Sequence, residues 1–148
     1  MKYYGIYQGF VTSVRDPEKR GRIKCTCPEV LDTSESGWCE PCFPNALDSG
    51  GDFYVPPLEE GVWIMFIDGD VDRPVYLGGW WSKNSTPLGD NYTNLSETRI
   101  ISHNGCFITL DDEINISIGT THVITIKDDK VIIKCDLEVE GTITSNNN

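Results

Sequence analysis

Apolar and polar positions alternate with a period of two along much of this chain, and no stretch of eleven or more residues carries a helical period. The most apolar run is Val62 to Ile67, rich in β-branched and aromatic residues, which predicts a strand. Asp68-Gly69-Asp70 is turn chemistry. Val75-Tyr76-Leu77, introduced by Pro74, predicts the return strand of a hairpin. Upstream, Ile6 to Val14 predicts a strand ending in the polar loop Arg15-Asp16-Pro17-Glu18-Lys19-Arg20-Gly21. Arg22 to Cys27 alternates strictly, with Ile23, Cys25 and Cys27 on the inward face. Pro28 ends it, and residues 29–37 read as loop. Trp38 to Phe43, interrupted by Pro41, predicts an irregular or edge strand. Asn45 to Asp52, with Gly50-Gly51, reads as a flexible loop.

About five strands in residues 1–81 suit a small barrel, and the five-stranded OB-fold is the architecture predicted for them. Residues 82–99 are polar and rich in turn formers, and predict a linker too short for another domain. From residue 100 the pattern changes. Ile108-Thr109-Leu110-Asp111-Asp112 recurs sixteen residues later as Ile124-Thr125-Ile126-Lys127-Asp128-Asp129. Ile114, Ile116 and Ile118 alternate with polar residues, as do Val131, Ile133 and Cys135, and Leu137, Val139 and Ile143 continue the series. Short strands broken by Asp-Asp, Gly119-Thr120 and Gly141 turns predict a repetitive β structure. Some fifty such residues cannot enclose a core alone, because a repeat array buries its apolar face only against neighbours. The expectation for residues 100–148 is therefore an intertwined homotrimer, a β-prism or β-helix. Its core would hold Ile108, Leu110, Ile114, Ile116, Ile118, Ile124, Ile126, Val131, Ile133, Leu137, Val139 and Ile143.

Charge narrows the function classes. The formal net charge is −11, which opposes binding to nucleic acid or to an anionic membrane. Trp63, Tyr76, Trp80 and Trp81 offer aromatic surface for stacking bases, but residues 1–81 hold seven Lys/Arg against thirteen Asp/Glu. The aromatics are therefore expected in the core or against a protein partner. The one basic cluster is Arg15, Lys19, Arg20, Arg22 and Lys24. It reads either as a solvated loop or as a docking loop for an acidic partner. The start, Met1-Lys2-Tyr3-Tyr4-Gly5, has no apolar signal region, so assembly in the cytoplasm and free or metal-binding thiols are expected.

Cys25-x-Cys27 with Cys39-x-x-Cys42 is a zinc alternative, against a bland reading of packed core cysteines, which the commoner use of cysteine favours. Trp38-Cys39-Glu40-Pro41-Cys42 is only superficially a thioredoxin-type motif, because that chemistry needs a helix after the first cysteine. His103 and Cys106 read as a turn histidine and a packed cysteine rather than a base and nucleophile. No paired carboxylates suggest glycoside hydrolysis, and no enzyme is expected.

Three sets of residues carry a resemblance that runs in order along most of the chain. Gly9-Phe10-Val11 with Asp16-Pro17-Glu18-Lys19-Arg20-Gly21-Arg22-Ile23-Lys24 and Ser36-Gly37-Trp38 make the first. Val55-Pro56, Gly61-Val62-Trp63, Phe66-Ile67-Asp68-Gly69-Asp70, Arg73-Pro74-Val75 and Leu77-Gly78 make the second. Ser102 to Asp112 makes the third. Together they resemble the central spike proteins of contractile phage tails, which are related to the valine-glycine repeat spikes of type VI secretion systems. The resemblance implies a homotrimer in a virion or injection-particle baseplate. It also implies barrels docked on a tail hub, with Arg15, Lys19, Arg20 and Arg22 as the docking loop, and a needle that pierces the target cell envelope. The lysozyme domain of the best-known phage member has no room here. No histidine follows His122 to form the tip iron site of some short spikes, so a separate tip protein is expected.

Overall fold

A computed structural model describes residues 1–48, 50–82, 99–119 and 121–144, with no side chains described for Thr121 and His122. Most of the expected linker, and the last four residues, lie outside the described residues. The chain divides into two compact units, Met1–Thr86 and Pro87–Asn148. The protein is all-β in both.

In the first unit the strands are β1 (Tyr7–Ser13), β2 (Lys24–Thr26), β3 (Glu40–Pro41), β4 (Ala46–Leu47), β5 (Gly50–Gly51), β6 (Gly61–Phe66) and β7 (Pro74–Gly79). Five of them form one sheet in the order β2-β1-β6-β7-β3. The β3–β7 pair is parallel and the others antiparallel. The two ends of this sheet meet. Cys39 N–H donates to the Ile23 carbonyl at 2.8 Å, and Ile23 N–H donates back to the Cys39 carbonyl at 3.3 Å. That reciprocal pair brings the strand after the 15–22 loop against the strand before β3, and the sheet becomes a barrel. The circuit is that of the five-stranded OB-fold.

Alternation fills the interior. Ile23, Cys25 and Cys27 are completely buried, as their spacing predicts, and Val11, Val62, Ile64, Phe66 and Tyr76 join them. Tyr76 is the one long polar side chain in this cluster, and its hydroxyl donates to the Gly21 carbonyl at 2.7 Å. Its phenol pKa is pushed up to about 12, chiefly by burial. Gly9 permits the close approach of β1 and β2, since a Cβ there would lie 2.6 Å from the Thr26 carbonyl oxygen. Between β6 and β7 the expected Asp68-Gly69-Asp70 turn is a short 3₁₀ turn over Ile67–Gly69, closed by Ile67 N–H donating to the Arg73 carbonyl at 3.0 Å.

Two local predictions change. The 29–37 loop begins with a single helical turn, α1 (Pro28–Leu31), with proline at its start, where a missing N–H costs nothing. Four residues are too few to show a helical period. The 45–52 loop carries the small hairpin β4–β5.

The second unit is one five-stranded meander: β8 (Arg99–His103), β9 (Cys106–Leu110), β10 (Ile114–Ile118), β11 (Thr121–Ile126) and β12 (Val131–Ile133). Each strand pairs antiparallel with its neighbour in sequence. Asn104 and Gly105, both at positive φ, form the two-residue turn between β8 and β9. That backbone twist suits a tight hairpin. Leu137, Val139 and Ile143 do not continue the series. Residues 134–144 form no strand, and no strand pairing among the described residues includes them.

Truncating a completely buried barrel residue tests the packing. Ile64→Ala should cost about 2–5 kcal/mol of barrel stability by urea denaturation, with the slope unchanged.

Candidate assembly surface

The cross-strand register of the second unit lines up its aliphatic residues. Ile101 faces Ile108, Ile108 faces Ile116, Ile116 faces Ile124, and Ile124 faces Ile133. This is an unbroken column of isoleucines across all five strands. A second column runs from Leu110 through Ile114 and Ile126 to Val131. Ile118 extends the same face at one end, opposite Cys106. Of the twelve residues expected in a trimer core, nine therefore share one face of one sheet: Ile108, Leu110, Ile114, Ile116, Ile118, Ile124, Ile126, Val131 and Ile133. The register adds Ile101, which sequence spacing missed because β8 lies before the repeat.

This face is open. Ile116, at the centre of the first column, is 37 % exposed and Ile118 66 %, whereas Thr109 on the opposite face is 7 % exposed. Thr109, Ser117 and Thr125 share that face with the half-buried Ile100, Phe107, Val123 and Ile132. Thr125 Oγ1 also donates to Asn115 Oδ1 at 2.9 Å. Five strands about 4.8 Å apart, with inward positions about 7 Å apart, give an aliphatic face on the order of 300 Å². That is the size of the largest apolar patch on a typical monomer, which is often functional. Ion pairing is kept to the other parity, where Lys127 pairs with Glu113.

The basic loop behaves differently from its sequence. Arg22, expected in the docking patch, is buried instead. Its Nη2 and Nε donate to Asp16 Oδ1 at 2.7 and 3.1 Å. The Asp16 carboxylate also accepts the backbone N–H groups of Glu18, Arg20 and Arg22 at 3.0, 2.7 and 3.3 Å. Arg20 pairs with Glu18 and Glu40, and Lys24 with Glu35. Arg15 and Lys19 remain exposed, with no ion pair among the described residues. What reads as a cationic patch is thus largely neutralised by carboxylates folded onto it.

The four barrel cysteines do not share one environment. Cys25, Cys27 and Cys39 are buried and Cys42 is exposed. Among the described residues no group of three His, Cys, Asp or Glu side chains is placed to hold a metal ion. Burial pushes the Cys27 thiol up to about 11. Cys39 sits in the bridge that closes the barrel rather than at a helix N-terminus, and its thiol is also pushed up, by its hydrogen bond with Cys25 and by burial. His103 and Cys106 face one another across the Asn104-Gly105 turn, and Cys106 is exposed. Of the aromatics, Tyr76 is core. Trp80 folds over Gly61 and donates its indole N–H to the Val62 carbonyl at 3.2 Å, while Trp81 is exposed. Trp63, Ile6 and Leu77 line a shallow apolar depression of about 340 Å³.

Two comparisons bear on this arrangement. A family model described as the type VI secretion system/phage-baseplate injector OB domain matches residues 7–81, the span of the barrel strands. No curated protein matches the chain.

The carboxylate at the centre of the 15–22 loop has a pH signature. Asp16 is held well below the ordinary carboxylate range, first by the Arg22 side chain and then, against the cost of burial, by the three backbone N–H groups. Its folded pKa lies below its unfolded value of about 3.9, so its contribution is complete above about pH 4 and is lost as the pH falls further. Asp16→Asn should lower the barrel's thermal midpoint near pH 7. The difference between wild type and variant should shrink towards about pH 2, as followed by circular dichroism.

Proposed function

The chain belongs to the family of type VI secretion system and phage-baseplate injector OB domains, and from that premise we propose that it is the central spike of a contractile injection particle, working as a homotrimer. The family places it among structural baseplate components. The finer reading rests on the isoleucine column. A face of β-branched residues running across every strand of one sheet gains most by being covered with another copy of itself, since each fully buried side chain contributes about 1.5–3 kcal/mol. Three such sheets around an axis make a prism with a dry interior, and threefold symmetry is what the likeness to spike proteins implies. Because each chain supplies an antiparallel meander, the prism is the favoured form over a wrapped β-helix.

The mechanism follows from that shape. In a prism whose strands lie across its axis, the ladder hydrogen bonds run along the direction of thrust. Sheath force then reaches a small area of cell envelope through a column that has few ways to bend. From residue 100 the chain holds eight Asp/Glu and three Lys/Arg, so assembly triples an acidic surface and keeps the needle soluble. The barrel end docks on the tail hub, and Arg15 and Lys19 are the cations the 15–22 loop presents to it. A separate protein caps the other end.

Sedimentation equilibrium should give about 50 kDa, three times the 16.6 kDa chain. Ile116→Asp places a charge at the centre of the column and should abolish the trimer. Ser102→Asp, on the opposite parity, should leave it intact. A monomeric wild type, or a trimeric Ile116→Asp, overturns the reading.

A further inference from the structure

The seam that closes the barrel holds two thiols in contact. Cys25 Sγ lies 3.6 Å from Cys39 Sγ, and both residues are completely buried. Ser36 Oγ sits against both sulfurs, at 3.5 Å from Cys25 and 3.3 Å from Cys39. The backbone around them is fixed. Ser36 N–H donates to the Cys25 carbonyl at 2.8 Å, Cys25 N–H donates to Ser36 Oγ at 3.0 Å, and Cys39 exchanges both backbone hydrogen bonds with Ile23. The two cysteines belong to segments already held side by side, so their sulfurs need to approach by only about 1.5 Å to reach bonding distance. Cys27 is buried in the same core cluster, and Cys42 is exposed.

We propose that Cys25 and Cys39 are a latent disulfide: a small peroxide converts the pair into a covalent staple across the barrel seam. The pair is polarised for this chemistry. The hydrogen bond from Cys39 lowers the Cys25 thiol pKa, against the cost of burial and with help from Ser36, while Cys39 holds its proton more tightly. Cys25, whose sulfur lies against both the Cys39 thiol and the Ser36 hydroxyl, is taken as the nucleophile once it has lost its proton. It attacks one oxygen of hydrogen peroxide, the O–O bond breaks, and the leaving hydroxide takes up the proton that Cys25 gave up, forming water and a Cys25 sulfenic acid. Cys39 sulfur then attacks the Cys25 sulfur. The S–S bond forms, the S–O bond breaks, and the Cys39 proton leaves with the oxygen as a second water. Two thiols lose two electrons and one peroxide gains them.

The staple would join segments that now depend on the Ile23–Cys39 hydrogen bonds and on core packing. It would close a loop of about fifteen residues, long enough for a substantial loss of freedom in the unfolded chain.

The test treats the full chain with hydrogen peroxide, quenches, alkylates remaining thiols under denaturing conditions and maps the peptides by mass spectrometry. The expected result is a linked Cys25–Cys39 peptide, reversed by dithiothreitol, with Cys27 still alkylated. The barrel's thermal midpoint should rise on the order of 10 °C after oxidation. Oxidation confined to Cys42, Cys106 or Cys135 overturns the proposal. So does any linkage through Cys27, or a linked pair with no rise in midpoint. The same measurement on Ile116→Asp should give the same linked peptide, so the outcome does not depend on whether the chain is a trimer.

Discussion

Residues 99–133 make one layer of strands, and a single layer cannot shelter both of its faces from water. In most small β proteins a second sheet or a helix answers that constraint. In this unit no helix is present among the described residues, and the five strands lie side by side in sequence order. Ten aliphatic side chains are gathered on one face, while the other carries the buried Thr109, Ser117 and Thr125 together with the half-buried Ile100, Phe107, Val123 and Ile132. Only a covering supplied from outside this sheet resolves the arrangement. The proposed needle starts from that requirement; its threefold form rests on the likeness to spike proteins.

The barrel satisfies the same constraint within one chain, by closing on itself. Its strands reach around until the segment at Ile23 meets the segment at Cys39, and two backbone hydrogen bonds complete the ring. Several details serve that closure. Gly9 lets β1 and β2 come close, and Tyr76 ties β7 to Gly21 at the end of the charged loop. Asp16 shapes the loop by collecting three backbone donors and the Arg22 guanidinium. A carboxylate used this way is structural, although it lies in the stretch that looks most suited to binding.

Where a feature depends on alternation, it could be read from the residues. Ile23, Cys25 and Cys27 point inward as their spacing requires, and Ile114, Ile116 and Ile118 share a face for the same reason. Features that depend on distant pairing were hidden. Nothing local to Ile23 announces Cys39 as its partner. Arg22 reads as one of five cations in a row until folding brings Asp16 back onto it. Ile101 joins the column only through its register with Ile108. Leu137, Val139 and Ile143 show the opposite limit: alternation persists in the sequence beyond the last strand, because a period of two states a preference for extended backbone and cannot supply the neighbour that a ladder needs.

The two units also differ in how far apart along the chain their paired residues lie. Tyr7 pairs with Ile64, whereas every pairing in the meander joins adjacent strands. Low contact order makes the meander quick to form once its residues are available, while the barrel must wait for β6 and β7. Synthesis runs in the favourable direction. The ribosome delivers the whole slow-folding barrel segment before the apolar stripe emerges, so the barrel has a head start, which shortens the interval in which that stripe could stick to the wrong surface.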